Sequence, residues 1–522
     1  MHRRQISGFV LLAVGLAPAA ATAVRAPLAD AAEKRDRTGV SALLKTDDVN
    51  AAQADGTTAL HWATYYDDAE MVALLVKAGA NVKALNRYGM PPLAEACMNR
   101  NAAVVKLLLE AGADANTTMK GGETVLMLAA RSGNLGVVNA LLARGVNLNA
   151  RERLGQTALM WAAAEGHTAV VLAFIESGAD LNATLDSGFT AFFFAVREGR
   201  LDTVRAFLAA GIDVNKMMQR PPGAGAFAGR RGAGGGPGAR GQTTTPLTLA
   251  VQNGHFELAI ALVDAGADPN DVRTGFTPLH MIAGVRNPDS NDTNDGSPAV
   301  GAGRLSSLDF VRKIVKHGAN VNFRLPSGSP GLRSTSSRIA TEGAAGATPF
   351  LFAADRADVP LMRVLKELGA DPFLPNLDNT TPLMAAAGVG TSSPDEEAGE
   401  ESEAVEAVKM LLDLGADINT VDNNGDTAMH GAAYNNYPLV AKLLAEHGAD
   451  PQIWKNPNKA GGTPLFIAEG YADRTLQPHA PTIEAITKLM LATGLSTGGE
   501  RPKIIDIYQR VVEPPKPPEP KQ

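Results

Sequence analysis

Apolar and polar residues alternate in blocks along this chain, and the blocks recur. Residues 155–188 show the unit. Gly155 closes a turn, Thr157 follows, and LMWAAAEG is an Ala-rich apolar stretch. Thr is a natural helix N-cap, because its hydroxyl accepts a backbone N–H of the first turn. Gly166 and His167 interrupt the stretch. VVLAFIE then sets apolar residues at helical spacing, which predicts a second helix. Gly178 suits a left-handed helix end. The segment ADLNATLDSG after it is rich in Asn, Asp and Gly, residues that tolerate positive φ in turns. Each unit reads as turn, helix, turn, helix and a hairpin-like loop.

Two glycine series set the period. Gly56, Gly89, Gly122, Gly155 and Gly188 are 33 residues apart, as are Gly79, Gly112, Gly145, Gly178 and Gly211. The second series continues at Gly266, Gly318, Gly369, Gly415 and Gly448. Relative to a 33-residue step, these positions imply insertions of 22, 19, 18, 13 and 0 residues. The repeat persists, and loops have been spliced into it.

The unit carries two recurring phrases. Residues 58–61 read TALH, 277–280 TPLH, 381–384 TPLM and 427–430 TAMH. Second helices close on GADAN at 112–116, GADLN at 178–182, GADPN at 266–270 and GADIN at 415–419. These resemble the two signature halves of the ankyrin repeat, over about residues 40–495. The resemblance implies an all-α ankyrin-repeat solenoid of ten to eleven helix–turn–helix repeats with hairpin loops and several insertions. It also implies a protein partner bound on the concave face. Residues 38–53 resemble a second helix without its partner, and residues 462–495 an atypical last repeat. Terminal repeats meet water on one side and are expected to differ.

Length and composition fit an array. A chain of 522 residues exceeds the size at which single cores stop growing. The net charge of −7 argues against a chain that grips nucleic-acid phosphates along its length. The single cysteine, Cys97, excludes an intramolecular disulfide. At the start, Arg3 and Arg4 precede an apolar run at 6–17, and Ala21-Thr22-Ala23 offers a small-residue cleavage site. This is the layout of a secretory signal. It predicts export with cleavage to the periplasm or the exterior, with an uncleaved anchor as the alternative. No later segment is apolar for long enough to span a bilayer. The Ala and Gly content and the signal style suggest a bacterial chain.

The expected organisation has six parts. Residues 1–23 are the signal segment, and 24–54 a linker and capping helix. Repeats without insertions occupy 55–219, and a Gly/Arg-rich flexible insertion 220–243. Repeats with inserted loops and the C-terminal cap occupy 244–495, and a Pro-rich disordered tail 496–522. Insertions near 219–243 and 325–345 extend hairpin tips. Those near 286–305, 389–403 and 471–481 fall between the two helices of a unit. The sequence leaves open whether they fold on a partner or are tolerated drift.

Catalytic chemistry finds little to stand on. Seven of the nine histidines occupy framework positions, and the resemblance implies that His61, His280 and His430 hydrogen-bond locally. Ser329 lacks the G-x-S-x-G pattern. Cys97 takes the place of a small buried alanine and reads as packed. Gly223, Gly225 and Ala228 loosely match a dinucleotide fingerprint but lack the strand and helix it needs. The acidic run DEEAGEESE at 395–403 lacks a calcium-loop pattern and reads as a solvated loop. The expectation is no enzyme, no cofactor and no metal, and a monomeric chain with a protein partner and no nucleic acid.

The resemblance places the binding surface at hairpin tips and at the ends of first helices. The latter include Tyr65, Tyr66, Asn99, Arg131, Glu165 and Arg197, and further on Arg356 and Tyr434. Arg87, Tyr88, Arg151 and Arg153 sit on tips. Tyr and Arg are enriched among residues that dominate binding energy. The N-terminal half is therefore the expected principal contact. Alternatives are an envelope-associated structural protein using the Pro-rich tail, or an inhibitor, immunity-like protein or effector.

Overall fold

The computed structural model describes residues 26–218, 244–288, 301, 303–327, 344–391, 400–471, 478–499, 501, 504–505 and 511–512. Residues 1–23, for which a signal segment was expected, the expected insertion 220–243, most of the other expected insertions and most of the tail lie outside the described residues. The described chain is helical, with one two-stranded antiparallel sheet, Ile504–Ile505 with Val511–Val512, and isolated bridges Ala52–Thr58 and Thr118–Thr124. That sheet falls within the tail for which disorder was expected.

The helices run from Pro27–Glu33 to Ala480–Ala492. Among the described residues they form twelve pairs, with the single turn Pro451–Trp454 as an extra. Most have 7–9 residues, too few to persist alone in water. Stacking on neighbours supplies the stability. Threonine starts most first helices as expected: Thr124 Oγ1 accepts from Met127 N at 3.2 Å, and Thr348 Oγ1 from Leu351 N at 3.2 Å. The N-terminal cap differs from expectation. Arg37–Leu43 has a partner, because Pro27 opens a helix that buries Leu28, Ala29, Ala31 and Ala32.

The chain divides into two compact units. The first comprises residues through Ala162 together with Leu172–Asp180, and the second Ala163–Val171 and Leu181 onwards. In the first unit, Leu60, Leu93, Leu126 and Leu159 occupy one repeat position and are at most 2% exposed. Val72, Val105 and Val138 do the same in second helices. The second unit is built on larger side chains: Phe192, Phe207, Phe310 and Phe350 are fully buried, and Phe256 stacks on Phe310 at 5.1 Å.

The break between paired helices is a left-handed residue. Gly133, Gly166 and Gly199 supply it with φ of 78°, 80° and 68°. Asp67 and Arg100 hold the same place at φ 56° and 64°. A side chain there costs roughly 1–2 kcal/mol.

Three histidines each tie their own repeat to the one that follows. The Thr58 and Thr427 amides donate to Nδ1 of His61 and His430 at 3.2 Å. A backbone N–H can only donate, so Nδ1 is the acceptor and Nε2 carries the proton. Nε2 then donates forward, from His61 to Met90 O at 3.0 Å and from His430 to Asn456 O at 3.1 Å. His280 Nε2 reaches Ala347 O at 3.2 Å. Local bonding was expected; the forward bridge is additional. Burial lowers the pKa of all three, to about 3 for His280 and about 4 for His430.

The insertion after Arg286 is pinned at its base. Arg286 Nε and Nη2 donate to Asp358 at 2.6 and 3.0 Å, and Nη1 to Ser307 Oγ. Asn287 Nδ2 donates to Arg356 O at 2.8 Å. A loop can therefore be spliced in without parting the helices. Residues 395–399 of the acidic run lie outside the described residues, and its end at 400–403 differs from the expected loop. Glu400 caps the helix Glu401–Asp413, and Glu401 and Glu403 form its first turn. Carboxylates there meet the positive end of the helix dipole.

Candidate functional site

Hairpin tips in the first unit lie side by side. Arg87 N donates to Asp55 O at 2.7 Å, Lys120 Nζ to Arg87 O at 2.6 Å, and Arg153 N to Gly121 O at 3.1 Å. The approach is close. A Cβ added at Gly56, whose φ is +84°, would stand 3.1 Å from Asn86 Cα. Consecutive tips thus become one rigid edge. Arg87, Lys120, Arg151 and Arg153 are exposed on it. Tyr88 and Leu154 stand beside them, 57% and 69% exposed. The Arg87 guanidinium lies 4.8 Å from the Tyr88 ring centre and also hydrogen-bonds its hydroxyl. Arg151 Nη1 donates to Gly155 O at 3.3 Å. Glu152 is turned inward, accepting from Leu154 N at 2.8 Å and Gln156 N at 2.9 Å.

The ends of first helices form a second set. Tyr65 is 56% exposed and packs edge-on against Tyr66 at 5.1 Å. Tyr66 is half-buried, stacked on Trp62 at 5.8 Å and overlain by the Arg35 guanidinium at 4.0 Å. Asn99 is exposed, yet its amide donates to Thr64 O at 2.6 Å and Tyr65 O at 3.1 Å. Its side chain closes the preceding helix. Arg131 is exposed and lies over the Trp161 ring at 5.0 Å.

Two expected positions fall in the second unit. Glu165 is exposed there. Arg197 is exposed, paired with Glu198 at 2.9 Å, with Phe194 and Phe189 rings at 5.0 and 5.3 Å. Two further positions expected on the surface are buried. Arg356 is 2% exposed because the base of the 287–306 insertion covers it, and its guanidinium donates to Asn287 O. Tyr434 is 5% exposed, and Asn458 donates to its hydroxyl at 2.9 Å.

Sequence reasoning missed Trp62 and Trp161. Both are half-buried, with indole N–H groups held by Gln53 at 2.8 Å and Gln156 at 2.9 Å. Each links a first helix to its hairpin. The signal was present: both follow the signature phrase directly, in TALHW and TALMW. Trp62 lies three residues before Tyr65, which puts both on one helix face. Glu95 occupies the equivalent repeat position, and burial raises its carboxyl pKa.

Cys97 is fully buried, and burial pushes its thiol up to about 12. That chemistry is inert, as the sequence implied. Among the described residues, no group of three or more His, Cys, Asp or Glu is placed to hold a metal ion. Among them, too, no helix is long and apolar enough to cross a membrane.

Stacked helix pairs bearing a rigid edge of hairpin tips define a repeat scaffold that presents surface. A profile of three-copy ankyrin repeats matches residues 28–119, 126–218 and 397–474, about half of the chain, and a single ankyrin repeat matches 244–273. The chain belongs to the ankyrin repeat family. It is 33% identical over 144 residues to the mouse B-cell lymphoma 3 protein homolog, covering 27% of this chain and 24% of the relative. It is 28% identical over 241 residues to mouse Ankyrin repeat and SOCS box protein 16, covering 43% and 47%. A putative ankyrin repeat protein of fowlpox virus is 31% identical over 239 residues, covering 40% and 33%. The chain thus spans about half or less of the length of these relatives. Ankyrin repeats generally mediate protein–protein interaction, and such arrays are typically non-enzymatic.

Proposed function

We propose that this chain is a non-enzymatic scaffold that binds a partner protein through the tips and first-helix ends of its first unit, outside the cytoplasm. One observation carries the reading. Tyr65 and Tyr88 keep more than half of their surface in water while mounted on a backbone locked by inter-repeat hydrogen bonds. Large aromatics held rigid lose little entropy on binding. Arg87, Arg131, Arg151 and Arg153 belong to the same surfaces. Glu165 and Arg197 are secondary contacts on the second unit. Tyr66 and Asn99 act by supporting the surface, since their side chains already serve the fold.

Affinity capture with mass spectrometry tests this. Tyr65→Ala with Tyr88→Ala is expected to weaken the dominant captured protein at least tenfold. Truncating a dominant aromatic costs roughly 2 kcal/mol, and about 1.4 kcal/mol is tenfold. A partner retained at full affinity by the double variant would place the contact elsewhere.

The pattern of residues 1–23 supports export to the periplasm or the exterior of a bacterial cell. Mass spectrometry of the purified chain is expected to find an N-terminus after Ala23. A chain retaining Met1 in the cytosolic fraction would overturn the export reading.

A further inference from the structure

We propose that a cavity in the last repeat takes a small apolar molecule bearing a carbonyl oxygen, which accepts the indole N–H of Trp454. The site lies within the second unit and uses none of the residues assigned to the partner surface. The single turn Pro451–Trp454 sets the ring in place, and Asp450 Oδ1 caps that turn on Gln452 N at 2.8 Å. Trp454 is 3% exposed, yet its Nε1 has no hydrogen-bond partner. A buried donor left unpaired is destabilising, and native folds hold few of them.

The other two tryptophans make the contrast. Trp62 and Trp161 are half-buried, and their N–H groups donate to Gln53 and Gln156. The chain has three tryptophans, and the most deeply buried is the one without an acceptor.

The cavity beside the Trp454 ring has a volume of about 260 Å³. Pro464 and Phe466 of the helix Pro464–Ala468, Met490 of the helix Ala480–Ala492 and Leu495 give it an apolar lining. Residues 495–498 form one wall as a strap. Arg501 anchors the strap: its Nε and Nη2 donate to Glu469 at 3.1 and 2.9 Å, and its guanidinium lies 5.0 Å from the Phe466 ring centre. A wall fixed before binding leaves a ligand little ordering to pay for. An apolar cavity of roughly 150 Å³ already takes benzene, so this one has room for a ring with a short polar arm. Apolar walls with a few placed polar groups are the usual form of a small-molecule site. Thr463 and Ser496, also in the lining, already accept amides of their own turns at 3.3 and 3.1 Å. The indole N–H is the group left over, and a donor calls for an oxygen that accepts. Lys455, whose ammonium donates to Gln452 Oε1, also lines the cavity and disfavours a cationic ligand.

The test is nuclear magnetic resonance of the whole chain, isotope-labelled at tryptophan nitrogens and methionine methyl groups. The probes are acetophenone and ethylbenzene, which are alike in shape and differ in the carbonyl. Trp62→Phe and Trp161→Phe identify two of the three indole signals, so assigning the third does not depend on a Trp454 variant. Met490→Leu identifies the Met490 methyl. Acetophenone is expected to move the Trp454 indole and Met490 methyl signals together, with the other two indoles unchanged. The ring also borders a more open groove beside Leu489 and Thr493, and Met490 lines the cavity but not that groove. Ethylbenzene is expected to bind at least about fivefold more weakly, the worth of one net hydrogen bond. In Trp454→Phe, which keeps an aromatic wall without the N–H, the two probes should bind alike. Equal binding of both probes to the unaltered chain overturns the inference. So does a Trp454 signal that moves without Met490, which would place the ligand in the groove. No movement with either probe also overturns it and leaves water as the acceptor.

Discussion

Asp358→Ala is expected to destabilise the repeats around the 287–306 insertion by about 3–5 kcal/mol, the usual cost of breaking a buried ion pair from one side. Asp358 is 6% exposed and receives two hydrogen bonds from Arg286, 72 residues earlier. Its Oδ1 also accepts from Leu361 N at 3.1 Å and so caps the helix Val359–Glu367. Removing it strands the Arg286 guanidinium, whose side chain is only 19% exposed, and uncaps the helix. Because repeat arrays can unfold in parts, one global midpoint is a poor reporter. Hydrogen exchange of Pro278–Arg286 and Val359–Glu367 is the suitable readout. Opening there is expected to rise more than a hundredfold, since about 1.4 kcal/mol is tenfold. Replacing Arg286 and Asp358 together by Met and Leu should recover most of the loss. A change of only a few-fold in Asp358→Ala would mean that the pair does not hold the insertion's base.

The second large effect is acid sensitivity. His280 and His430 are fully buried and neutral, with pKa values lowered by burial to about 3 and about 4. An unfolded histidine titrates near 6.5. Between these values the unfolded chain binds more protons, so stability is complete above about pH 6.5 and declines as pH falls toward the folded values. Between pH 6.5 and 4.5 the two sites together remove as much as about 4 kcal/mol, at about 1.4 kcal/mol per pH unit and site once both unfolded histidines are charged. His61 shifts in the same direction. Glu95 and Asp422 oppose it, because burial raises their carboxyls and the folded chain takes up their protons more readily. Urea titrations at several pH values should show the loss in the repeats that hold His280 and His430. Gln at both positions should flatten the profile. An unchanged slope in that double variant would contradict the assignment.

Much of the fold was legible because two glycine series and two signature phrases repeat in phase. Left-handed glycines and Thr caps have local causes, and local causes leave marks in a sequence. The Arg286–Asp358 pair leaves none, since its partners are 72 residues apart across an insertion. The same holds for Arg356 and Tyr434. Repeat position marked both as surface, but covering by Asn287 and Asn458 decided their burial. At the candidate site, repeat register located Tyr65, Arg87, Tyr88, Arg131 and Arg153 on exposed edges. It did not separate Asn99 and Tyr66, whose polar or aromatic groups serve neighbouring elements. Trp62 and Trp161 were overlooked because their role depends on indole bonds to Gln53 and Gln156, which the helix signature does not mark.

The most direct test of the scaffold account is hydrogen exchange on the whole chain with and without its captured partner. The account predicts slowed exchange at the tips 86–90, 119–123 and 152–156 and at the ends of the helices Ala59–Tyr65 and Val125–Ser132. Slowing confined to residues 244–495 would contradict it and move the binding surface to the repeats that carry insertions.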